Sequence, residues 1–441
     1  MSALDRLTPY LHGPVTIRFP RMSLLARDNE PSLAEGEGEF EIVSEQEFRY
    51  KMTGRPVDLG HTLRALNRPR NDRYDGLHRF RLVMTDADGK DWAGAWTVPN
   101  VDFDREPWVF SGTCETLSTD VHGGPTELGG AEVRFLIPEN YAASIVLRRF
   151  VQTIKANGDR SPNRTVEVLG TPVTFEFDDS AGVLTLSAPS TRALPAHYAE
   201  NWLGEPLRVL FGQLTYPRLV QRRFSNGRSM LSVRKSPRWN VASSWLALWI
   251  GDHQFIHAEE FFNLYSELLS LVARGSNWES HTVTGFYEEV IQAARGSSWV
   301  CALTLASSIE GLTRLIVPAD TLRADANATG LRLLSEHIAT WDGAVRLKDA
   351  AIGFVQRLDF VSVNRALLDL TCSGVGTRTQ VDSWKKVRNS VMHGELVSPY
   401  SSEEDDQILV DMAELLRALT REAARRGSAD SGPICPSTSV P

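Results

Sequence analysis

The hydrophobic pattern of this chain changes period near residue 240, and that change constrains the fold more than any other feature. Before it, apolar and polar residues alternate over short runs, as in half-buried strands. After it, apolar residues recur every third or fourth position, as on one face of a helix. Strands first and helices second predict an α+β protein with a β-rich N-terminal region and an all-α C-terminal bundle, because a parallel α/β fold would interleave the two.

The strand signals are specific. Gly36 to Ile42 alternates, Phe48, Tyr50 and Met52 repeat the alternation, and Ser44 to Gln46 is the polar turn between them. Phe80–Met84 and Trp92–Val98 face each other across Asp88-Gly89, a hairpin turn pair. Val166-Val168, Val173-Phe175-Phe177 and Val183-Leu184-Leu186 form another group, at the spacing of a sandwich or meander. Leu203, Leu207, Leu210 and Phe211 predict a short helix, and Leu214 to Lys235 a hairpin turning at Asn226-Gly227. Helices are expected near 257–272, 284–295, 298–317, 330–341, 358–370, 381–394 and 402–425. Ser401 and Glu404 are spaced as a capping box for the last. The expected organisation is a β-rich sensing or docking region over 1–238, a helical domain over 239–426 and a disordered tail over 427–441.

With 441 residues and 42% hydrophobic content the chain can bury sizeable cores. Its net charge of -8 provides no global basic field, so any nucleic-acid contact must be a local patch. The four cysteines, Cys114, Cys301, Cys372 and Cys435, have no CxxC spacing and predict neither a disulfide framework nor a zinc site. No charged start followed by an apolar run marks a signal peptide, and the apolar stretch from Trp245 to Ile250 is too short to span a bilayer. A soluble, cytoplasmic protein with no membrane partner is expected.

The residues with the clearest chemical potential are Arg388, Asn389 and His393, followed by Gly394. Asn389 and His393 stand four apart on a predicted helix, and Arg388 lies beside them. A permanent cation and a group titrating near neutrality can thus reach one phosphate. The bland alternative is a solvated Arg/His pair at a helix end. Arg-Asn-x-x-x-His followed by Gly, in a helical setting, resembles the signature of the HEPN superfamily, small helical domains of which many are metal-independent ribonucleases.

That resemblance implies an endoribonuclease needing no cofactor and no metal, with Arg388, Asn389 and His393 catalytic. It also implies a homodimer through the helical domain, since one Arg and one His are few for the three tasks of RNA cleavage. Family members often add an acidic residue from an earlier helix, and Glu310 is suitably placed; its alternative partner is Arg314, four residues on. Lys385 and Lys386 either draw in RNA or form a solvated helix face. The first half is similar, more diffusely, to the ApeA-type domain that precedes HEPN domains in bacterial anti-phage proteins. The likeness rests on the Gly36-x-Gly-x-Phe-x-Ile42 strand, the β-rich body and the Leu210-to-Thr215 helix end before the basic hairpin. It implies abortive-infection defence, with tRNA or another RNA as target and a phage-derived trigger at the N-terminal region. A non-catalytic HEPN module that binds RNA or assembles with a toxin is the alternative; a carbohydrate- or peptide-binding β-domain protein is a third.

Other features carry less. Between 200 and 240 eight basic residues face two acidic ones. With Tyr216, Phe224 and Trp239 interleaved, the stripe has the chemistry to hold phosphate and stack bases, with Arg222, Arg223 and Arg228 as candidate RNA contacts. The competing reading is a charged edge strand. His253 and His257, with Glu259 and Glu260 following, have metal-ligand spacing but no identifiable third ligand. No nucleophile elbow, Walker loop or dinucleotide fingerprint is present. Most of the eleven tryptophans, Trp92 and Trp96 among them, are expected in cores; a sugar- or base-binding platform is the other possibility.

Overall fold

A computed structural model describes residues 2–26, 31–71, 79–104, 106–125, 128–139, 145–148, 163–248, 258–275, 280–319, 321, 328–358, 360–392 and 402–429. The protein is α+β: a β-rich N-terminal region followed by a helical one. The strands are β1 (Val15–Leu25), β2 (Ala34–Ser44), β3 (Glu47–Pro56), β4 (Phe80–Thr85), β5 (Asp91–Thr97), β6 (Asn100–Asp102) and β7 (Trp108–Thr113). They continue as β8 (Thr116–His122), β9 (Gly130–Leu136), β10 (Asn163–Val168), β11 (Thr171–Asp178), β12 (Val183–Pro189), β13 (Leu219–Arg223) and β14 (Arg228–Arg234). Helix α1 (Leu59–Asn71) follows β3 and α2 (Ala199–Phe211) precedes β13. The helical region comprises α3 (Ala258–Ala273), α4 (Thr282–Ala293), α5 (Ser298–Ile316), α6 (Ala328–Thr340), α7 (Val345–Leu358), α8 (Val363–Cys372), α9 (Arg378–Met392) and α10 (Glu403–Ala429).

Among the described residues all fourteen strands join one sheet, in the order β10-β11-β12-β9-β13-β14-β8-β5-β4-β1-β2-β3-β7-β6. Alternation sets the register, since a slip of one residue would turn each apolar set toward water. Phe40 lies opposite Tyr50 and Ile42 opposite Phe48, all four buried. The β4–β5 turn is fixed by Asp86: its Oδ1 accepts the amides of Asp88 and Lys90, its Oδ2 the Trp92 indole N–H. Gly89 there has φ +78°, which only glycine adopts freely. Strand β1 is not evident from the sequence because its alternation breaks at Pro20, where the register with β2 shifts between Phe19 and Met22. A proline fits a bulge because it has no N–H to give the ladder.

The apolar residues form two cores. One lies among β1–β5, β7, β8, the N-terminal 3-10 helix Ala3–Tyr10 and one face of the β13–β14 hairpin. The other runs from β9–β12 through α2 into α3, α4, α5, α8, α9 and α10. This second core crosses residue 238: Phe175 of β11 meets Phe262 and Tyr265 of α3 at ring-centroid distances of 5.1 and 4.7 Å. Leu219 and Val220, adjacent on β13, enter different cores, so both faces of the hairpin are covered.

Helix ends follow local chemistry. Ser362 Oγ accepts the Arg365 amide and starts α8, so the single helix expected over 358–370 is instead the end of α7 and the whole of α8. The cap of α10 is Ser402, which accepts the Asp405 amide; Ser401 lies outside the described residues. Helix α10 continues through Gly427 to Ala429, and 430–441 lie outside the described residues. Helices α6 and α7 pack on each other outside both cores, leaving Leu333, Leu334, Val345, Leu347 and Phe354 exposed. Helix α5 is long and apolar enough to cross a membrane by length and composition alone, but half of it is buried, against α4, α8, α9 and α10.

Candidate active site on helices α5 and α9

Helix α9 starts with a capping box absent from the sequence expectations: Gln380 N–H donates to Thr377 Oγ1, and Thr377 N–H to Gln380 Oε1. Its first turn is held to α10 by Gln380 Nε2 on Glu414 at 2.9 Å and Ser383 Oγ on Asp411 at 2.7 Å. Val381, Trp384 and Val387 point into the core at helical spacing. The Trp384 indole N–H donates to the Ala306 carbonyl of α5 at 3.1 Å, satisfying a polar atom that burial would otherwise strand. With that face fixed, Lys385, Lys386, Arg388 and Asn389 are left exposed.

One turn beyond the Trp384–Ala306 contact on both helices, Arg388 Nε meets Glu310 Oε2 at 3.4 Å. The sequence leaves Glu310 two partners, and the fold separates them: Arg314 donates instead to the Val361 carbonyl at 2.9 Å. The Arg388 guanidinium also lies 5.8 Å from the centre of the Trp384 ring. The Arg388 and Glu310 side chains are 44% and 42% exposed, and their contact is long for a charge-assisted bond. Such a solvated pair is weak, so an incoming phosphate can take Glu310's place on the guanidinium. Lys386 is paired with Glu404 of α10 at 2.6 Å, and Lys385 is exposed. Met392 is the last described residue of α9; His393 lies outside the described residues. Arg388 and Glu310 therefore meet at the solvent-facing surface, with Asn389, Lys385 and Lys386 exposed on the same helix.

The basic hairpin is placed differently. Arg222 is bonded to Glu200 of α2 through both Nε, at 2.7 Å, and Nη2, and Arg234 reaches the same carboxylate at 2.8 Å. Burial alone would raise the Glu200 carboxyl, but the two guanidinium groups hold it below the ordinary value. Arg208 is bound to Glu288 of α4 at 2.5 Å. Arg218 is fully buried and donates to the carbonyls of Tyr10, Leu11, Glu45 and Arg234. Burial lowers its pKa to about 10, which still leaves it charged at neutral pH. At the hairpin tip Arg223 is exposed, and Arg228 is paired with Asp120 at 2.8 Å. The edge-strand alternative does not hold, because β13 and β14 lie inside the sheet between β9 and β8. The hairpin packs on β8, β9 and the N-terminal 3-10 helix, whereas α9 packs on α5, α8 and α10.

His253 and His257 lie outside the described residues. Trp92 is buried, as expected, but Trp96 is 48% exposed, because it follows the irregularity between Arg81 and Val83 in the β4–β5 ladder. The sequence gives no signal for Ser236, whose buried hydroxyl has no hydrogen-bond partner among the described residues, because a lone serine after a strand is commonplace. No protein-family model, no curated protein and no solved structure matches the chain.

Proposed function

We propose that the protein is a metal-independent endoribonuclease of the HEPN type, acting in bacterial anti-phage defence. The observation carrying this reading is the exposed Arg388–Glu310 pair, with Asn389 beside it and His393 next in the Arg-Asn-x-x-x-His order. In the reaction the ribose 2′-oxygen attacks the adjacent phosphorus, forming the O2′–P bond and breaking the P–O5′ bond. The products are a 2′,3′-cyclic phosphate and a 5′-hydroxyl. His393 is the proton carrier, since imidazole exchanges protons near neutral pH. Arg388 holds the phosphate oxygens as charge builds on the phosphorane. Asn389 orients phosphate or imidazole, and Glu310 holds the guanidinium at the exposed surface until an RNA phosphate replaces it. Lys385 and Lys386 add local positive potential on a chain that is acidic overall.

Two chains supply the groups that one lacks, through a homodimer of the helical region. Leu303, two turns before Glu310 on the same face of α5, is exposed and offers apolar surface for that pairing. The setting is the cytoplasm, the target is tRNA or another host or phage RNA, and the N-terminal region receives the infection signal. DNA lacks the 2′-hydroxyl and is not cut.

The test is purified protein with total RNA in EDTA, followed by analysis of the new ends. Cyclic phosphate and 5′-hydroxyl ends from wild type, absent from Arg388→Ala and His393→Ala, are expected. RNA retained without any cleavage would instead assign a binding module.

A further inference from the structure

Two cavities meet where the open end of the β13–β14 hairpin approaches the helical region. The first, about 280 Å³, is walled by Leu136, Pro138, Leu214, Tyr216 and Trp239, with Arg238 at its rim. The second, about 570 Å³, is lined by Thr116, Arg234 and Lys235, with Glu115 beside them. Gln46, Tyr216, Ser236 and Pro237 line both, so the two chambers are halves of one cleft. Together they have the volume of a site for a small organic ligand.

The two halves differ in chemistry. Tyr216 and Trp239 are partly buried aromatic walls, already fixed by other contacts. The Tyr216 hydroxyl bonds to Glu288, its ring lies 4.3 Å from the Arg208 guanidinium carbon, and Trp239 packs on Phe211 at 5.6 Å. Rings held in place bind a planar group with little ordering cost. In the other half the Lys235 side chain is only 19% exposed, while its partner Glu115, at 2.8 Å, is 73% exposed. The lysine is fixed and the acid can swing into water, so an anion can replace Glu115 on Nζ. Arg238 is held by a 3.4 Å contact to Gln46 and is exposed. Ser236, at the boundary, is over nine-tenths buried, and its hydroxyl oxygen, closed to solvent, has no hydrogen-bond partner among the described residues.

We infer that this cleft binds a mononucleotide-class ligand, its heteroaromatic ring between Tyr216 and Trp239 and its phosphate toward Lys235. The cleft lies on the seam of the two halves: Arg295 at the end of α4 donates to the Arg238 carbonyl at 2.7 Å. The ring-bearing wall continues from Trp239 through Phe211 to Phe261 of α3. The inference stands apart from the nuclease reading, since it uses none of the residues on α5 and α9.

Calorimetric titration of the full chain with AMP, GMP, CMP and UMP tests it, with adenosine, guanosine, cytidine, uridine and inorganic phosphate as fragments. At least one mononucleotide binds once per chain, and its nucleoside and phosphate alone each bind roughly tenfold weaker or less. Lys235→Ala weakens the mononucleotide about tenfold and leaves the nucleoside unaffected. Trp239→Ala weakens the mononucleotide and the nucleoside alike, by about tenfold; Lys235→Ala decides the matter if that variant does not fold. In an Arg388→Ala background, which keeps RNA intact, competition by a six-nucleotide RNA identifies a chain end as the source, and its exclusion identifies a free nucleotide. No binding of any mononucleotide at millimolar concentration, or equal binding by wild type and Lys235→Ala, overturns the inference.

Discussion

The β13–β14 hairpin with its flanks and helix α9 are both rich in basic residues, yet four of the hairpin region's cations are built into the fold, whereas those of α9 that meet an acid do so at the surface. Around the hairpin, Arg218 bonds four main-chain carbonyls, Arg222 and Arg234 share Glu200, and Arg208 binds Glu288. Those cations are internal, and each removed from water has an acceptor. On α9, Arg388 and Lys386 meet acids that are themselves solvated, and Lys385 and Asn389 are exposed. A count of basic residues therefore does not locate a nucleic-acid surface. Cations with buried partners are part of the framework, whereas cations with exposed, replaceable partners are open to a ligand.

Substitutions that remove a cation from each class test this division by stability. The largest loss is expected for Arg218→Ala, which leaves several buried carbonyls without a donor: on the order of 4 kcal/mol in denaturant unfolding. A loss below about 1 kcal/mol would place Arg218 outside the framework class. Next comes Arg222→Ala, at about 2–3 kcal/mol, because Glu200 stays charged and buried with Arg234 alone. Adding Glu200→Gln should recover part of that loss; strict additivity in the double-mutant cycle would show that the two side chains do not act together.

A smaller, pH-dependent contrast sits within α2. Glu200 is held below its ordinary value, so its contribution is present above the unfolded carboxylate pKa and fades as pH falls through the folded value. Glu205 is raised by burial, against the His281 amide and Thr284 hydroxyl that donate to it. The native state then binds more protons than the unfolded one, and stability falls as pH rises from the unfolded value through the raised one. Glu205→Gln should flatten that decline and Glu200→Gln should remove the acid-side loss. Identical pH profiles for the two variants would contradict the assignment. The smallest stability effect is expected for Arg388→Ala, within about 0.5 kcal/mol of wild type, since its pair is solvated.

Much of the fold is legible where a local period is clean. The β2–β3 and β4–β5 hairpins, β10–β12, α2 and most of the later helices appear near their expected places because alternation or a helical stripe sets them. Strand β1 is hidden by Pro20 and its register shift, and α7 by having almost no buried face. The union of β9–β12 and the helices in one core is a long-range packing result with no local period. At the candidate site, Arg388 and Asn389 are legible as a motif, and Glu310 only as one of two options. Its choice of Arg388 over Arg314 depends on how α9 crosses α5, which Trp384 and Ala306 fix. The fate of the hairpin arginines was not legible, because Glu200, Glu288 and the Tyr10 and Leu11 carbonyls reach them across the fold.

The most direct measurement takes Arg388→Ala and wild type from matched preparations and records unfolding midpoint and RNA cleavage in EDTA on the same samples. The midpoints should coincide, while cleavage falls by roughly a hundredfold or more, the scale of losing a transition-state charge stabiliser. Wild-type cleavage by a fully folded Arg388→Ala protein would contradict the account.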